Sequence, residues 1–258
     1  MSEAELSLVL PAFDCAPFIA ETVRRALDHF DERGIRGEVV VADDGSTDGT
    51  ADHVPAAANV RVLRLPHRGK GGALRAGMTV AGGRIRAFTD ADLPYGLEPL
   101  AQASRLIDEG HAHAVIGDRT LPGSAYRSTP LRRVLSGSAG LAFRMLVVGR
   151  IRDTQCGFKV FRGDVAAELF RLARVDGFAI DIEVLSILLR HGLDVQRIPV
   201  RFEGKVLSSV HVLHDSARAA RDVVTIRLDW ALGRYRSTVL HRLAADDARP
   251  HAEPDRPG

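Results

Sequence analysis

Two carboxylates one residue apart, Asp90 and Asp92 on either side of Ala91, repel each other unless a cation sits close by. On an extended chain alternate side chains point the same way, so both face one ligand. A hard divalent ion suits such a pair, because Mg²⁺ is usually held by one or two carboxylates together with substrate phosphates. The plainer alternative is an aspartate capping the helix that follows. A second acidic segment, Asp43-Asp44-Gly-Ser-Thr-Asp48, begins like an EF-hand loop, but its twelfth position is Pro55 and a strand precedes it. That leaves a solvated turn, or carboxylates that accept hydrogen bonds from a ribose or from base N–H groups. Arg68-Gly-Lys70-Gly71-Gly-Ala-Leu-Arg75 lacks the Ser/Thr of a P-loop and the full dinucleotide glycine pattern. Its glycines around Lys70, ahead of a helix, offer backbone N–H groups and a positive dipole end to an anion, or form only a flexible loop. Asp153-Thr-Gln-Cys-Gly-Phe-Lys159 brings an acid, an amide and a base together. Cys156 has neither a histidine nor a second cysteine beside it and reads as a small packed residue.

Short apolar runs and helical patterns alternate along the first half. Strands are expected at Leu6–Leu10, Glu38–Ala42, Val60–Leu65, Arg84–Thr89 and Ala112–Gly117. Helices are expected from Pro17 to Gly34, at Thr50–Ala58, Gly71–Ala81 and Leu97–Glu109. This rhythm implies an α/β fold, a mostly parallel sheet with helices on both faces. Ligands of such sheets bind beyond the carboxyl ends of the strands, where the acidic and glycine-lysine loops fall. The second half reads as an amphipathic helix at Pro130–Val148, a polar strand at Asp153–Arg162, a helix at Ile180–Leu189, a strand at Val195–Phe202 and one long helix at Ser216–His241. Residues 1–245 are expected to form a single domain with a C-terminal helical extension from about 205, and 246–258 a disordered tail.

With 35 Lys+Arg against 33 Asp+Glu the charge is too balanced for a general nucleic-acid binder. Two distant cysteines fit a reducing compartment. No signal peptide and no run of about 18 apolar residues is visible, so the expected location is cytoplasmic, free or peripheral on the inner face of the cell membrane. Arg218–Arg242 holds six arginines, an apolar face and Trp230, which suits a helix lying on anionic lipid, a helix packed on the domain or a dimer contact.

Taken in order, these segments resemble the inverting glycosyltransferases of the GT-A fold that act on polyprenyl phosphates. The dolichyl-phosphate β-glucosyltransferases come first, the mannose synthases next. The matching stretches are Leu8–Asp14, Val40–Thr50, Arg68–Met78, Thr89–Tyr95, Asp153–Phe161 and Gly177–Leu185, spread over residues 6–230. The resemblance implies that Pro11 and Ala12 line a base pocket. It places Asp14, Asp43 and Asp44 at base and ribose, and Lys70 with Gly71 near the donor. Asp90, Ala91 and Asp92 become the diphosphate and metal motif for Mg²⁺ or Mn²⁺, and Arg119 a residue near the acceptor phosphate. Asp153 and Lys159 become the pocket's acid and base. It departs from the family pattern at Asp14, at His67 and at Ser208–His211, where Lys205 or His211 would have to stand in for a lysine.

The reaction so implied moves a sugar, glucose from UDP-glucose, to polyprenyl phosphate with inversion. A phosphate monoester acceptor is already an anion near neutral pH, since its second pKa is about 6, so positioning by Arg119 outweighs general-base help. With a hydroxyl acceptor Asp153 would be the leading base. GDP-mannose as donor, a soluble hydroxyl acceptor and a non-catalytic nucleotide-binding module are the alternatives.

Overall fold

The computed structural model describes residues 4–124, 151, 153–202 and 212–247. The expected helix at 130–148, the segment 205–211 and the tail beyond 247 lie outside the described residues. In chain order the elements are β1 (Leu6–Ala12), α1 (Ile19–Glu32), β2 (Gly37–Asp43), a 3₁₀ turn (Thr50–Asp52), β3 (Val60–Arg64), α2 (Lys70–Val80), β4 (Ile85–Phe88), α3 (Pro99–Asp108) and β5 (Ala114–Asp118). They continue as β6 (Lys159–Arg162), α4 (Gly163–Leu172), α5 (Ile180–Arg190), β7 (Val195–Pro199), α6 (Val212–Ala231) and α7 (Thr238–Asp247).

The seven strands form one sheet in the order β3-β2-β1-β4-β6-β5-β7, parallel except for β6. The near-continuous Val/Leu/Ala runs of β1 and β2 follow from burial on both faces. Alternation divides them. Val9, Val40, Phe88 and Phe161 face the layer containing α2, α4 and α5, while Leu8, Leu10, Val39, Val41 and Val160 face α1 and α3. Phe88 and Phe161 each meet the Phe170 ring of α4 edge-on. The chain passes outward from β1 through β2 to β3, then returns to β4 on the other side of β1. The order therefore reverses between β1 and β4, which is where α/β sheets hold their ligands.

Three expectations need correction. Thr50–Ala58 is only a short 3₁₀ turn at its start. The polar strand is confined to Lys159–Arg162 and runs antiparallel, and the unforeseen α4 follows it at once. The long C-terminal helix is two: α6 ends before Gly233, whose φ of 69° suits a residue without Cβ, and Ser237 Oγ accepts from Leu240 N at the start of α7. Both helices are tied to the domain. Trp230 donates its indole N–H to Ser186 Oγ (2.7 Å), and the buried Tyr235 donates to Glu183 (2.6 Å). His113 Nδ1 accepts from Asp194 N, so its Nε2–H donates to Leu243 O of α7. Among the described residues no helix is long and apolar enough to cross a membrane.

Candidate active site

The loops after β1, β2 and β4 meet at one sheet edge because their strands are in register, Ala12 opposite Asp43 and Val9 opposite Phe88. The first two loops are stitched together: Thr47 N donates to Asp14 Oδ1, Asp14 N to Ser46 Oγ, Cys15 N to Thr50 Oγ1 and Ala16 N to Asp48 Oδ2. Asp14 sits at φ 50°, a left-handed conformation aspartate tolerates. Asp43 is buried and accepts from the backbone N–H and hydroxyl of Ser46. Asp44, also buried, takes the backbone N–H groups of Arg68 and Gly69 at 2.8 Å each, and His67 lies 2.9 Å from it. The exposed Phe13 ring lies over His67, with centroids 4.4 Å apart.

The glycine-lysine segment does not form the backbone anion cradle its composition suggested. Its N–H groups are used internally: Arg68 and Gly69 on Asp44, Gly71 and Gly72 on the carbonyl of Asp176. Gly71 is glycine because a Cβ there would collide with the Val175 carbonyl. Arg75 reinforces the seam by binding Val175 O and the Asp176 carboxylate. What the segment delivers is the side chain of Lys70, whose ammonium lies 2.7 Å from Asp90 Oδ1 and 3.5 Å from Asp181 Oδ2. Burial alone would lower the Lys70 pKa; Asp181 and Asp90 overcome that and raise it.

Asp90 and Asp92 follow β4 in a turn held by Thr22, which donates to Ala91 O at 2.6 Å. Leu93, at φ 45°, closes the turn in a conformation costly for a branched side chain. Gly157 lets the Asp90 carboxylate lie directly against its backbone, where a Cβ would overlap it. Asp92 is exposed, yet partial enclosure and then the Asp90 charge push its pKa up. The pair is thus a two-carboxylate oxygen donor set whose like charge Lys70 relieves only in part, which fits a hard divalent cation. Among the described residues no group of three or more His, Cys, Asp or Glu could hold a metal alone, so the remaining coordination falls to ligand oxygens and water.

Arg119, just past β5, is gripped by Asp153. Its Nε and Nη2 donate to the two carboxylate oxygens at 2.8 and 2.7 Å, and its backbone N donates as well. Burial would raise the Asp153 pKa, but the hydrogen bonds and charge of Arg119 hold it below the ordinary value. Lys159 is fully buried, with its ammonium on Asp181 and on the carbonyl of Cys156 (2.8 Å). Its expected place as a pocket base is therefore corrected to that of a buried support. The Cys156 thiol, pushed up to about 11 chiefly by burial, is a packed neutral group.

Pro11, Ala12, Asp14, Asp43, Asp44, Lys70, Asp90 and Asp92 are thus brought to one edge, and the Arg119–Asp153 pair sits past the end of β5, two strands along from β4. Asp181 was missed. Its signal was an acid inside Ile180–Leu188, a helical run buried on every side, where a carboxylate has to be paired.

The glycosyl transferase family 2 model matches residues 7–170. A dolichyl-phosphate β-glucosyltransferase of Saccharomyces cerevisiae is 28% identical over 91% of this chain and 77% of its own length. That of Drosophila melanogaster is 31% identical over 92% and 79%. Among solved structures, glucosyl-3-phosphoglycerate synthase from Mycobacterium tuberculosis, crystallised with Mn²⁺, UDP-glucose and phosphoglyceric acid, superposes with a TM-score of 0.60. It is 20% identical, with 91% of this chain and 82% of that one covered, so the likeness there is one of GT-A fold. The sheet order, the acidic turn at the β1–β4 reversal and these matches agree: the chain belongs to glycosyl transferase family 2.

Proposed function

We propose that the chain transfers glucose from UDP-glucose to a polyprenyl phosphate with inversion, with a divalent cation, Mg²⁺ or Mn²⁺, held by Asp90 and Asp92. The dolichyl-phosphate β-glucosyltransferase relatives support the donor sugar and the acceptor class. The observation that carries the acceptor is the Arg119–Asp153 fork. With both carboxylate oxygens on one guanidinium and its pKa depressed, Asp153 is a poor proton acceptor, whereas an acceptor phosphate brings its own negative oxygen.

In this reading Asp43 and Asp44 shape the nucleoside end of the site, Lys70 places positive charge beside the diphosphate, and Arg119 orients the acceptor phosphate. A phosphate oxygen bonds to the anomeric carbon from the face opposite the nucleotide while the bond to the nucleoside diphosphate breaks. The leaving diphosphate takes the electron pair. Bound at Asp90 and Asp92, a divalent ion supplies Lewis-acid neutralisation of that leaving group. Asp153 and Asp181 touch no reacting atom and act as positioning residues.

The donor assignment is tested by thermal shift. UDP-glucose with Mn²⁺ should raise Tm, by an amount equivalent to about 2.7 kcal/mol at a hundredfold excess over Kd. A larger shift with GDP-mannose would overturn it. The acceptor assignment is tested by a double-mutant cycle on Arg119→Ala and Asp153→Asn. Each alone should lower kcat/KM for a short-chain isoprenyl phosphate by about 10²-fold, and together little more than either, because the pair acts as a unit. A further full loss from Asp153→Asn when Arg119 is already alanine would restore Asp153 as a base and sink the reading.

A further inference from the structure

α6 carries a stripe that stays exposed among the described residues. Val224, Leu228 and, in the turn after the helix, Leu232 follow one another at four-residue steps on one face. They are 45%, 57% and 64% exposed, while Val223, Ile226 and Asp229 between them are buried against the domain. The exposed charged side chains from Arg221 to Arg242 have one sign. Arg221, Arg227, Arg234, Arg236 and Arg242 are all exposed, whereas the acids of the same stretch are turned inward. Asp229 is buried and holds Arg174 and Arg234, and Asp222 is half-buried against Gly177. From Arg221 to Arg242 no acidic side chain is exposed.

The stripe also has a position. Gly177 immediately follows Asp176, the residue that pins the Lys70 loop, and Phe178 beside it is 52% exposed. At the other end Trp230 reaches Ser186, and Arg190 lies over the Trp230 ring. α6 therefore runs alongside α5, and its middle, at Asp222, lies beside the segment that pins the Lys70 loop.

We infer that this face of α6 docks on an anionic lipid bilayer, with Val224, Leu228 and Leu232 entering the headgroup boundary and the arginines on lipid phosphates. Charge complementarity selects the lipid over a second copy of the chain. Two such faces would set arginine rows against each other, and a single three-residue stripe falls far short of the roughly 1,200 Å² that stable protein interfaces bury. An apolar line flanked by arginine is what an interfacial helix requires. Use of the face to reach a lipid-borne acceptor rests on the acceptor proposed above; the face itself does not.

The test is co-sedimentation of the full chain with vesicles of phosphatidylcholine, with and without phosphatidylglycerol, in the absence of substrates. Binding should require phosphatidylglycerol and weaken with salt. Leu228→Gln with Leu232→Gln should reduce it by at least about tenfold, and Arg221→Gln with Arg236→Gln should reduce it and flatten the salt dependence. Turnover of a water-soluble short-chain isoprenyl phosphate should be unchanged in the leucine pair, which also shows that it folds. No vesicle binding by the wild type, or binding indifferent to the leucine pair, overturns the inference. So does a solution dimer that the leucine pair dissolves, because the stripe is then a subunit contact. Vesicle binding without any turnover of isoprenyl phosphate upholds the lipid face and removes the acceptor reading.

Discussion

Asp92→Asn is expected to lower kcat/KM for the nucleotide-sugar by on the order of 10³-fold while leaving the unliganded protein at least as stable as wild type. Activity and stability separate here for a physical reason. Asp92 is exposed, so its substitution disturbs no packing. Its ionised form is already disfavoured by enclosure and by Asp90, and asparagine removes that like-charge strain. What asparagine cannot supply is the second negative oxygen donor for a divalent ion beside a pyrophosphate. Mn²⁺ titration of the variant in the presence of UDP, followed by the ion's paramagnetic signal, should show much weaker binding. Asp90→Asn should lose as much activity and also some stability, because Asp90 is an ion partner of Lys70 at 2.7 Å. Wild-type turnover by Asp92→Asn, or turnover that survives complete chelation, would remove the carboxylate pair from the proposal.

The parts of this site visible in the sequence are those whose meaning is local. Carboxylates at alternate positions after a strand, an acidic turn and a βα rhythm are patterns local to the chain, and the structure brings those residues together at one sheet edge. The glycine segment misled because a glycine serves equally for donating N–H groups to a ligand and for letting backbones touch. Only the fold shows that Gly71 and Gly72 bind the Asp176 carbonyl, from a loop a hundred residues away. Lys159 failed the same way. Its type suits a pocket base, but its neighbour Asp181 lies 22 positions on and turns it into a buried ion. The α4 pattern, with Val165, Ala166, Leu169 and Phe170 buried, was legible by spacing but follows β6 without a break or a capping side chain. The split between α6 and α7 was announced by Gly233 and Ser237, two signals outweighed by the amphipathic pattern on either side.

Asp181→Asn is expected to cost about 3–5 kcal/mol of folding stability, the usual consequence of removing one partner from a buried ion pair. Asp181 is buried between two lysines: the Lys159 ammonium is on one carboxylate oxygen and Lys70 lies 3.5 Å from the other. Both ammonium groups lie over the Phe88 ring, at 5.4 and 5.8 Å from its centroid, and the fully buried Lys159 cannot relax toward water without unpacking the end of β4. Burial alone would raise the Asp181 pKa; the two lysines overcome it and hold it below the ordinary carboxylate value. The sign follows. A depressed folded-state pKa stabilises above the unfolded value of about 3.9 and loses that contribution as pH falls through the folded value. The wild type should therefore lose stability in strongly acidic solution more steeply than Asp181→Asn, read as denaturant midpoints across pH. Lys159→Met with Asp181→Leu removes the buried pair outright and should recover most of the stability, since apolar replacement of a buried ion pair is often neutral. Activity should stay down by about tenfold, because Lys70 then answers to Asp90 alone. Recovery of stability and of full kcat together would show that Asp181 serves the fold only and has no part in setting Lys70 beside the diphosphate.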